Sequence, residues 1–299
     1  MARVLITGAS GFAGRHLVDA CAAAGDEVIP APPASEADLR DPGAVLRVVA
    51  GARPDVIYHL AAQAHVGRSW EQPAETISGN VAMTLNVLEA MRAAARDAVV
   101  LLVGSGELYG PPDVLPTGED APLRPQNPYA VSKASADLLG GMYASAHGLR
   151  VVRARAFNHS GPGQEPIYAI ASFAKQVAEG LDRGDDPVHL TTGNPDTRRD
   201  FTDVRDIVRA YRLLAARGEP GVFNVCSGVS HSARELLESL GRVTGVAVEF
   251  EVNPALVRAH EVMEVRGSHE RLRAATGWEP QIPLEQTLRD SVEFWRATR

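Results

Sequence analysis

The stretch RVLITGASGFAGRHL, residues 3–17, decides how the rest of the chain is interpreted. Four of its first five residues are apolar or β-branched, which predicts a buried strand, and residues 12–25 are typical of a helix that ends at a glycine. Gly8, Gly11 and Gly14 form a G-x-x-G-x-x-G pattern that leads from the strand into the first turn of this helix. Without side chains, such a turn brings the backbone and the positive end of the following helix close to a pyrophosphate. The pattern predicts dinucleotide binding; a tightly packed turn is the alternative.

Short apolar runs and helical segments alternate through the first half of the chain. EVIP, PDVIYHL, DAVVLLVGS and RVVRARAF are the expected strands, and the expected helices include residues 80–95, NPYAVSKASADLLGGMYASAHG and, in the second half, VRDIVRAYRLLAARG. Strands that are apolar on both faces are typical of a parallel sheet covered by helices on both sides. We predict an α/β fold, a doubly wound parallel sheet of the Rossmann type with a smaller α/β C-terminal domain. The expected dinucleotide-binding domain spans 1–157, with 200–227 returning to it, and the second domain spans 158–199 and 228–299.

Charge and composition limit the possible partners. The chain has 299 residues and a formal charge of −7, which disfavours nucleic acid because phosphate binding needs a basic surface. It has no apolar run near the roughly 20 residues that span a bilayer, and its N-terminus does not resemble a signal peptide. Two cysteines, Cys21 and Cys226, provide no disulfide framework. We predict a cytoplasmic protein that binds neither nucleic acid nor membrane, and no metal, because the histidines lack a ligand spacing.

The segment NPYAVSK, residues 127–133, predicts a tyrosine and a lysine on one helical face. Asn127 is a favourable N-cap and Pro128 a favourable first helical residue, so that Tyr129 lies in the first turn. Lys133 follows four residues later, on the same face. A nearby ammonium group and a helix N-terminus both favour the phenolate of a tyrosine. The pair alone is common on surface helices, but after a dinucleotide motif it predicts a catalytic pair.

A serine and a glutamate lie in GSGELYG, residues 104–110, directly after an expected strand. Ser105 ends that strand at its carboxyl end, where the sheets of this fold class bind ligands. A serine that merely ends a strand is the alternative. Ser105, Tyr129 and Lys133 together resemble the Ser/Thr–Tyr–Lys triad of the short-chain dehydrogenase/reductase superfamily.

The resemblance extends over essentially the whole chain. GASGFAG, YHLAAQ, NVAMTLNVLEA, GSGELYG and PYAVSKAS resemble successive motifs of the extended branch, the NAD-dependent epimerase/dehydratase family. RAFNHSGPGQ, TRRDFTDVRDIVRAY and FNVCSG resemble its members that act on GDP-linked deoxy sugars. The resemblance implies an NAD(P)-dependent reductase of the C4 ketone of a nucleotide-linked 4-keto-6-deoxy sugar, foremost GDP-4-keto-6-deoxy-D-mannose. It also implies a homodimer built on the helix that carries Tyr129 and the helix at 80–95.

Three other functions stay open beside the reductase. A nucleotide-sugar 4-epimerase uses the same triad and returns the hydride, and a 4,6-dehydratase eliminates water. A non-catalytic NAD(P)-binding sensor belongs to another class of protein. An intact Ser–Tyr–Lys set argues against the sensor, because a sensor needs no proton donor.

The resemblance also implies ligand contacts, residue by residue. The implied cofactor contacts are Gly8, Gly11, Phe12, Gly14, Leu60, Ala61, Ala62, Tyr129 and Lys133. The implied nucleotide-sugar contacts are Asn158, Lys175, Arg199, Arg258 and Glu261. The planar fork of arginine suits diphosphate oxygens, and a carboxylate suits a ribose diol. Ala259 departs from the proline that related reductases often have there.

The end of the second strand leaves the choice of cofactor open. A carboxylate there would favour NAD and an arginine NADP, but PAPPAS, residues 30–35, supplies neither. Asp38 and Leu39 follow closely and would frame the adenine; an ordinary solvated aspartate is the alternative. The expected cofactor is NADP(H) or NAD(H).

The glutamate in GSGELYG has more than one possible role. In the related 4,6-dehydratases this turn carries a Thr-Asp-Glu triplet, whose acid helps to expel the C6 hydroxyl and whose glutamate takes the C5 proton. Here Gly106 stands in place of the acid, and Glu107 remains. We count Glu107 among the candidate catalytic residues, with a polar contact to the sugar and a structural hydrogen bond as the alternatives. The missing acid predicts a reductase, because hydroxide is a poor leaving group.

Overall fold

A computed structural model describes residues 1–257 and 262–298 of the chain. In chain order its strands are β1 (Arg3–Thr7), β2 (Glu27–Pro30), β3 (Val56–His59), β4 (Val99–Val103), β5 (Arg150–Ala156), β6 (Asn158–Ser160), β7 (Val188–Thr192), β8 (Arg198–Asp203), β9 (Gly221–Val225), β10 (Ser230–Ser232), β11 (Val248–Val252) and β12 (Glu264–Val265). Its helices are α1 (Phe12–Ala23), α2 (Pro42–Ala52), α3 (Val66–Glu71), α4 (Pro73–Ala94), α5 (Pro128–His147), α6 (Ala169–Arg183), α7 (Val204–Arg217), α8 (Ala233–Thr244), α9 (Glu270–Thr276) and α10 (Leu284–Ala297).

Six strands form the main sheet in the order β2-β1-β3-β4-β5-β9. All neighbouring strands in it are parallel. The chain moves to one side of β1 with β2 and to the other side with β3, which opens a crevice at the carboxyl ends of β1 and β3. The predicted doubly wound parallel sheet is therefore confirmed, and the crevice fixes where a ligand would bind.

Apolar side chains fill both faces of the main sheet. On one face, α1 and α7 bury a core that includes Leu17 and Tyr211. On the other face, α2, α4 and α5 cover a second core that includes Ile57 and Met91. These four side chains are 0% exposed, so the sheet is enclosed on both sides, as its continuously apolar strands require.

The remaining strands and helices form a smaller region beside the carboxyl ends of the main sheet. Strand β8 pairs with β6, β10 and β12, and β7 pairs with β11. Helices α6, α8 and α10 pack together over a core that includes Val177, Leu240 and Leu288. Between these elements the chain returns to the main sheet, where β9 pairs in parallel with β5.

Helices α3 and α4 differ from the sequence prediction. The helix expected at 80–95 is α4, which begins earlier, at Pro73, because proline is favourable at the first helical position and Glu75 suits the first turn. The short helix α3 precedes it and was not predicted. His65 caps α3 by accepting a hydrogen bond from Arg68 N at 3.0 Å.

The cysteines and the helices of the described residues have two further properties. Cys21 and Cys226 are both free and buried. Within 1–257 and 262–298, no helix combines the length and the apolar character that crossing a membrane requires.

Candidate active site

Two of the three glycines at the junction of β1 and α1, Gly8 and Gly14, lie where side chains would not fit. Gly8 has a φ of +71°, and a Cβ on it would lie 2.8 Å from Ala61 N. A Cβ on Gly14 would lie 2.0 Å from the carbonyl oxygen of Gly8. Gly11 is the N-cap of α1, and no side chain there caps the helix. The turn therefore leaves the backbone N–H groups at the start of α1 accessible, which fits the pyrophosphate of a dinucleotide.

The other predicted cofactor residues near this turn lie at the ends of β1 and β3. Ala61 N donates to Thr7 Oγ1 at 3.2 Å, which places Leu60, Ala61 and Ala62 beside the glycine turn. The Phe12 ring stacks on the imidazole of His159, with ring centroids 6.1 Å apart. His159, which follows β5, was not among the predicted residues, although RAFNHSGPGQ contains it.

Asp38 and Leu39 lie in the loop between β2 and α2. The carboxylate of Asp38 is paired with the guanidinium of Arg40 at 2.8 Å, and hydrogen bonds from Arg40 lower the pKa of Asp38. The carbonyl oxygen of Leu39 accepts from Asn86 Nδ2 at 2.9 Å. The structure thus adds a cation, Arg40, that the sequence pattern did not indicate.

Ser105, Tyr129 and Lys133 come together at the carboxyl end of β4. Ser105 is 7% exposed, and its hydroxyl lies near enough to the phenol of Tyr129 to lower the pKa of that phenol. Tyr129 lies in the first turn of α5, which Asn127 caps by accepting from Ala130 N at 2.7 Å. One turn further, Lys133 Nζ donates to the carbonyl oxygen of Val103 at 2.7 Å. The three predicted side chains therefore form one cluster, at the edge where the crevice opens.

The protonation of this cluster is set mainly by burial. Desolvation raises the pKa of Tyr129 above its ordinary value; the nearby hydroxyl of Ser105 opposes the rise, and the charge of Glu107 adds to it. Burial lowers the pKa of Lys133 to about 8. For Tyr129 the direction is opposite to the one expected from Lys133 and the helix N-terminus, because burial disfavours the phenolate. A raised pKa keeps the phenol protonated near neutral pH, as a proton donor requires.

Gly106 and Glu107 begin the 3-10 turn Gly106–Tyr109 that follows Ser105. A Cβ at Gly106 would lie 2.9 Å from the ring of Phe157, so the ring occupies the space that a side chain would need. The backbone N–H of Glu107 donates to Ser105 Oγ at 3.2 Å. Its carboxylate accepts from Asn127 Nδ2 at 3.3 Å. The glutamate is therefore bonded to the residues around the triad.

Other side chains that the sequence pattern did not single out surround the triad. Asn80 of α4 is buried and donates from Nδ2 to Ser132 Oγ at 2.9 Å. The phenol of Tyr168 is near enough to raise the pKa of Tyr129, after the larger effect of desolvation. The Tyr168 ring meets the imidazole of His65 edge to face, with centroids 6.1 Å apart. The motif NVAMTLNVLEA begins at Asn80 and was the one available signal; the pairing of His65 with Tyr168 had none.

A buried ion pair lies behind the triad. Asp137, one turn after Lys133 on α5, is paired with Arg155 of β5 at 2.8 Å and with Arg153 at 3.1 Å. Arg155 also donates to the hydroxyl of Tyr109 at 2.8 Å. Tyr109 in turn donates to Asn224 Oδ1 at 2.7 Å, in β9. These bonds connect α5, the turn after β4 and two strands of the main sheet.

The predicted sugar-nucleotide residues lie in the smaller region or are not described. Asn158 begins β6 and is exposed. Lys175 of α6 lies 4.0 Å from the carboxylate of Glu179 and over the ring of Trp295. Arg199 lies in β8 and donates to the carbonyl oxygen of its neighbour, Arg198. Arg258 and Glu261 lie outside the described residues.

Side chains that could bind a metal ion are dispersed over the described part of the chain. Within it, no three side chains of His, Cys, Asp or Glu are grouped so that they would hold an ion.

Comparisons with known proteins agree with this geometry. The family model for GDP-mannose 4,6 dehydratase matches residues 33–291. GDP-6-deoxy-D-mannose reductase of Pseudomonas aeruginosa is 40% identical over 298 residues, which are 99% of this chain and 97% of the relative. The solved structure of RMD from Pseudomonas aeruginosa complexed with NADPH is 38% identical, with a TM-score of 0.92 and full coverage of both chains. UDP-glucose 4-epimerase of Thermus thermophilus, solved with NAD, is 31% identical, with a TM-score of 0.87, covering 99% of this chain and 100% of that one.

Proposed function

The chain belongs to the GDP-mannose 4,6-dehydratase family of short-chain dehydrogenases/reductases, and from this premise we propose that it reduces a nucleotide-linked 4-keto-6-deoxy sugar. The proposed substrate is GDP-4-keto-6-deoxy-D-mannose, which is reduced at its C4 ketone. The 40% identity with a GDP-6-deoxy-D-mannose reductase over nearly the full length supports this choice. The proposed cofactor is NADPH or NADH, since structural relatives are solved with NADPH and with NAD.

The triad has a distinct role for each of its members in this proposal. A bound nicotinamide cofactor supplies the hydride. Tyr129 donates its proton to the alkoxide that develops at C4, and Ser105 donates a hydrogen bond to the same oxygen. Lys133 has three N–H donors, one of which is directed to Val103 O, and the others would be available to the hydroxyls of the nicotinamide ribose of a bound cofactor.

The residues that we propose to hold the ligands belong to two regions of the fold. On the main sheet, Gly8, Gly11 and Gly14 turn the backbone toward the pyrophosphate. On the smaller region, we propose that Arg199 and Lys175 bind the charged part of the sugar nucleotide. We extend this to a domain division, with 1–157 and 200–227 binding the dinucleotide and 158–199 and 228–299 binding the sugar nucleotide. The pairing of β9 with β5 supports that division.

The packing at Gly106 is the observation that favours a reductase over a dehydratase. Expelling the C6 hydroxyl as water needs a proton donor, because hydroxide is a poor leaving group. The related dehydratases carry an acid at this position, and here the Phe157 ring lies 2.9 Å from where its Cβ would be. An acidic side chain at 106 would require the ring to move. Reduction of the C4 ketone needs no acid there, so the packed glycine is compatible with it.

Turnover with defined sugar nucleotides tests the proposal. We expect no 4-keto-6-deoxy product from GDP-mannose and oxidised cofactor. We expect loss of nicotinamide absorbance when GDP-4-keto-6-deoxy-D-mannose is supplied with NADPH or NADH. The UDP- and dTDP-linked 4-keto-6-deoxy sugars are the controls for the nucleotide, and the two cofactors in parallel give the preference.

Two outcomes of the same assay contradict the reductase. Accumulation of the 4-keto sugar from GDP-mannose would identify a dehydratase. Tightly bound NAD, with interconversion of C4 epimers and no net use of cofactor, would identify an epimerase.

We also propose a homodimer through α4 and α5, which lie side by side on one face of the sheet. Three apolar side chains on these helices are exposed in the single chain: Leu85 (36%), Leu138 (61%) and Met142 (47%). Pairing of the two helices with those of a second chain would bury them in a four-helix seam.

Light scattering tests the dimer. We expect twice the mass of one chain at micromolar concentration. Leu138→Glu places a charge in the seam and is expected to give a monomer. Leu46→Glu, at an exposed position of α2, serves as the matched control and leaves the mass unchanged. A wild-type chain that scatters as a monomer refutes the proposed assembly.

We further propose a cytoplasmic location. The two free, buried cysteines and the absence of a membrane-spanning helix among the described residues support it.

A further inference from the structure

Glu107 lies half-buried between the end of β4 and the start of α5. Its backbone N–H donates to Ser105 Oγ at 3.2 Å, and its Oε2 accepts from Asn127 Nδ2 at 3.3 Å. One residue therefore joins the serine of the triad to the residue that precedes the catalytic helix. Neither bond is required by a role as a base, which would need the carboxylate directed at a substrate carbon.

Asn127 is the N-cap of α5, and the oxygen and the nitrogen of its side-chain amide make different hydrogen bonds. Its Oδ1 accepts from Ala130 N at 2.7 Å, which satisfies one of the free N–H groups of the first turn. Its Nδ2 donates to the carboxylate of Glu107. Because a carboxylate only accepts, Glu107 selects the amide orientation in which Oδ1 faces the helix. The opposite orientation would direct an N–H donor at the N–H of Ala130.

The first turn that Asn127 caps contains Tyr129. Pro128 occupies the first helical position and lacks an N–H. The hydrogen bond from Ala130 N to Asn127 Oδ1 is therefore a main contact between this turn and the preceding chain. The Tyr129 phenol must stay within hydrogen-bond reach of Ser105 and of the substrate oxygen. A displacement of about 1 Å at a catalytic group costs up to roughly 10²-fold in rate.

We propose that Glu107 is a positioning residue, which acts through Asn127 to hold the first turn of α5 and the Tyr129 hydroxyl in place for proton donation. The inference rests on the proposed reductase function and assigns Glu107 a role in it. It replaces the two other interpretations of Glu107, as a base of elimination and as a contact to the sugar.

Exchanging the acid and the amide between Glu107 and Asn127 tests whether the two residues act together in catalysis. Asn127→Asp keeps an excellent N-cap but sets two carboxylates against each other, so we expect kcat to fall by about tenfold or more, in line with a misplaced catalytic group. Glu107→Gln alone keeps an acceptor but loses the charge, and we expect a smaller loss. In the double variant E107Q/N127D the new amide donates to the new carboxylate, which still caps the helix. We expect its kcat to return to within about threefold of wild type, because directly contacting partners are coupled.

Two readouts and one control separate positioning from other roles. The KM for the keto sugar is expected to stay unchanged in all three variants, because Glu107 does not touch the sugar in this proposal. Midpoints of urea unfolding are measured on the same set. The control is Asp113→Asn, which removes a carboxylate charge from the segment that follows the same turn. Asp113 pairs there with the exposed Arg124, and this variant should behave as wild type.

Each remaining outcome overturns the inference. A double variant as slow as Asn127→Asp shows that the pair does not act together in catalysis. A raised KM in Glu107→Gln that the second substitution does not restore identifies a sugar contact. Coupling in the urea midpoints without coupling in kcat identifies a purely structural bond. Wild-type protein that turns over no 4-keto sugar refutes the proposed function itself, and this inference with it.

Discussion

Replacing Tyr129 with phenylalanine is expected to slow the reduction by roughly 10²–10⁴-fold, the range for loss of a general acid. The substitution removes the hydroxyl that lies beside Ser105 and leaves the ring in place. The helix cap at Asn127 and the glycine turn do not involve that hydroxyl, so the dinucleotide should still bind. The measurement is kcat with the 4-keto sugar, together with cofactor affinity from fluorescence quenching.

Tyr143→Phe is the matched control for this prediction. Tyr143 lies on the same helix, 14 residues or about 21 Å further along at 1.5 Å per residue, and its hydroxyl is bonded to Glu89. We expect this variant to keep wild-type turnover. Near-normal turnover in Tyr129→Phe would remove Tyr129 from the mechanism.

Asp137→Ala is expected to destabilise the protein by about 3–5 kcal/mol, the range for removing one partner of a buried ion pair. The side chains of Asp137 and Arg155 are 1% and 6% exposed, so Arg155 would be left charged and without its carboxylate. Arg153 loses the same partner. The free energy of unfolding in urea measures the effect.

An exposed ion pair serves as the control for Asp137. Asp113 and Arg124 are paired at 2.7 Å, but their side chains are 63% and 48% exposed. Water replaces the lost partner at such a site, so Asp113→Ala should change stability far less. A loss of stability in Asp137→Ala no greater than in Asp113→Ala would show that water reaches Arg155.

The sequence predicts those strands and helices whose bounds are determined by their own residues. Strand β1 and helix α7 begin and end within a residue of their expected bounds, because apolar periodicity and a C-terminal glycine are local signals. Strand β8 was missed, since RRDFTD is too charged to suggest a strand. Its Asp200 is buried because its carboxylate accepts from the backbone N–H groups of Ser227, Gly228 and Gly267. Those partners are brought to it only by the tertiary fold.

The candidate site also has features that the sequence predicts and features that it does not. Ser105, Tyr129 and Lys133 could be predicted because each follows a strand or begins a helix in a fixed order along the chain. The pairing of Asp137 with Arg155 and the contact of Phe157 with Gly106 could not be predicted. Each contact joins residues on different elements, and the residue type at one position does not indicate which distant residue packs against it.

The ring of Phe157 links positions that are far apart in the sequence. A Cβ at Gly106 would lie 2.9 Å from this ring, and a Cβ at Gly267 would lie 2.6 Å from it. Substitutions at the three positions are therefore epistatic: the effect of one depends on the residues at the other two. An acid at 106 therefore requires the Phe157 ring to move or to be replaced by a smaller side chain, and it is accommodated more easily once Phe157 has been replaced.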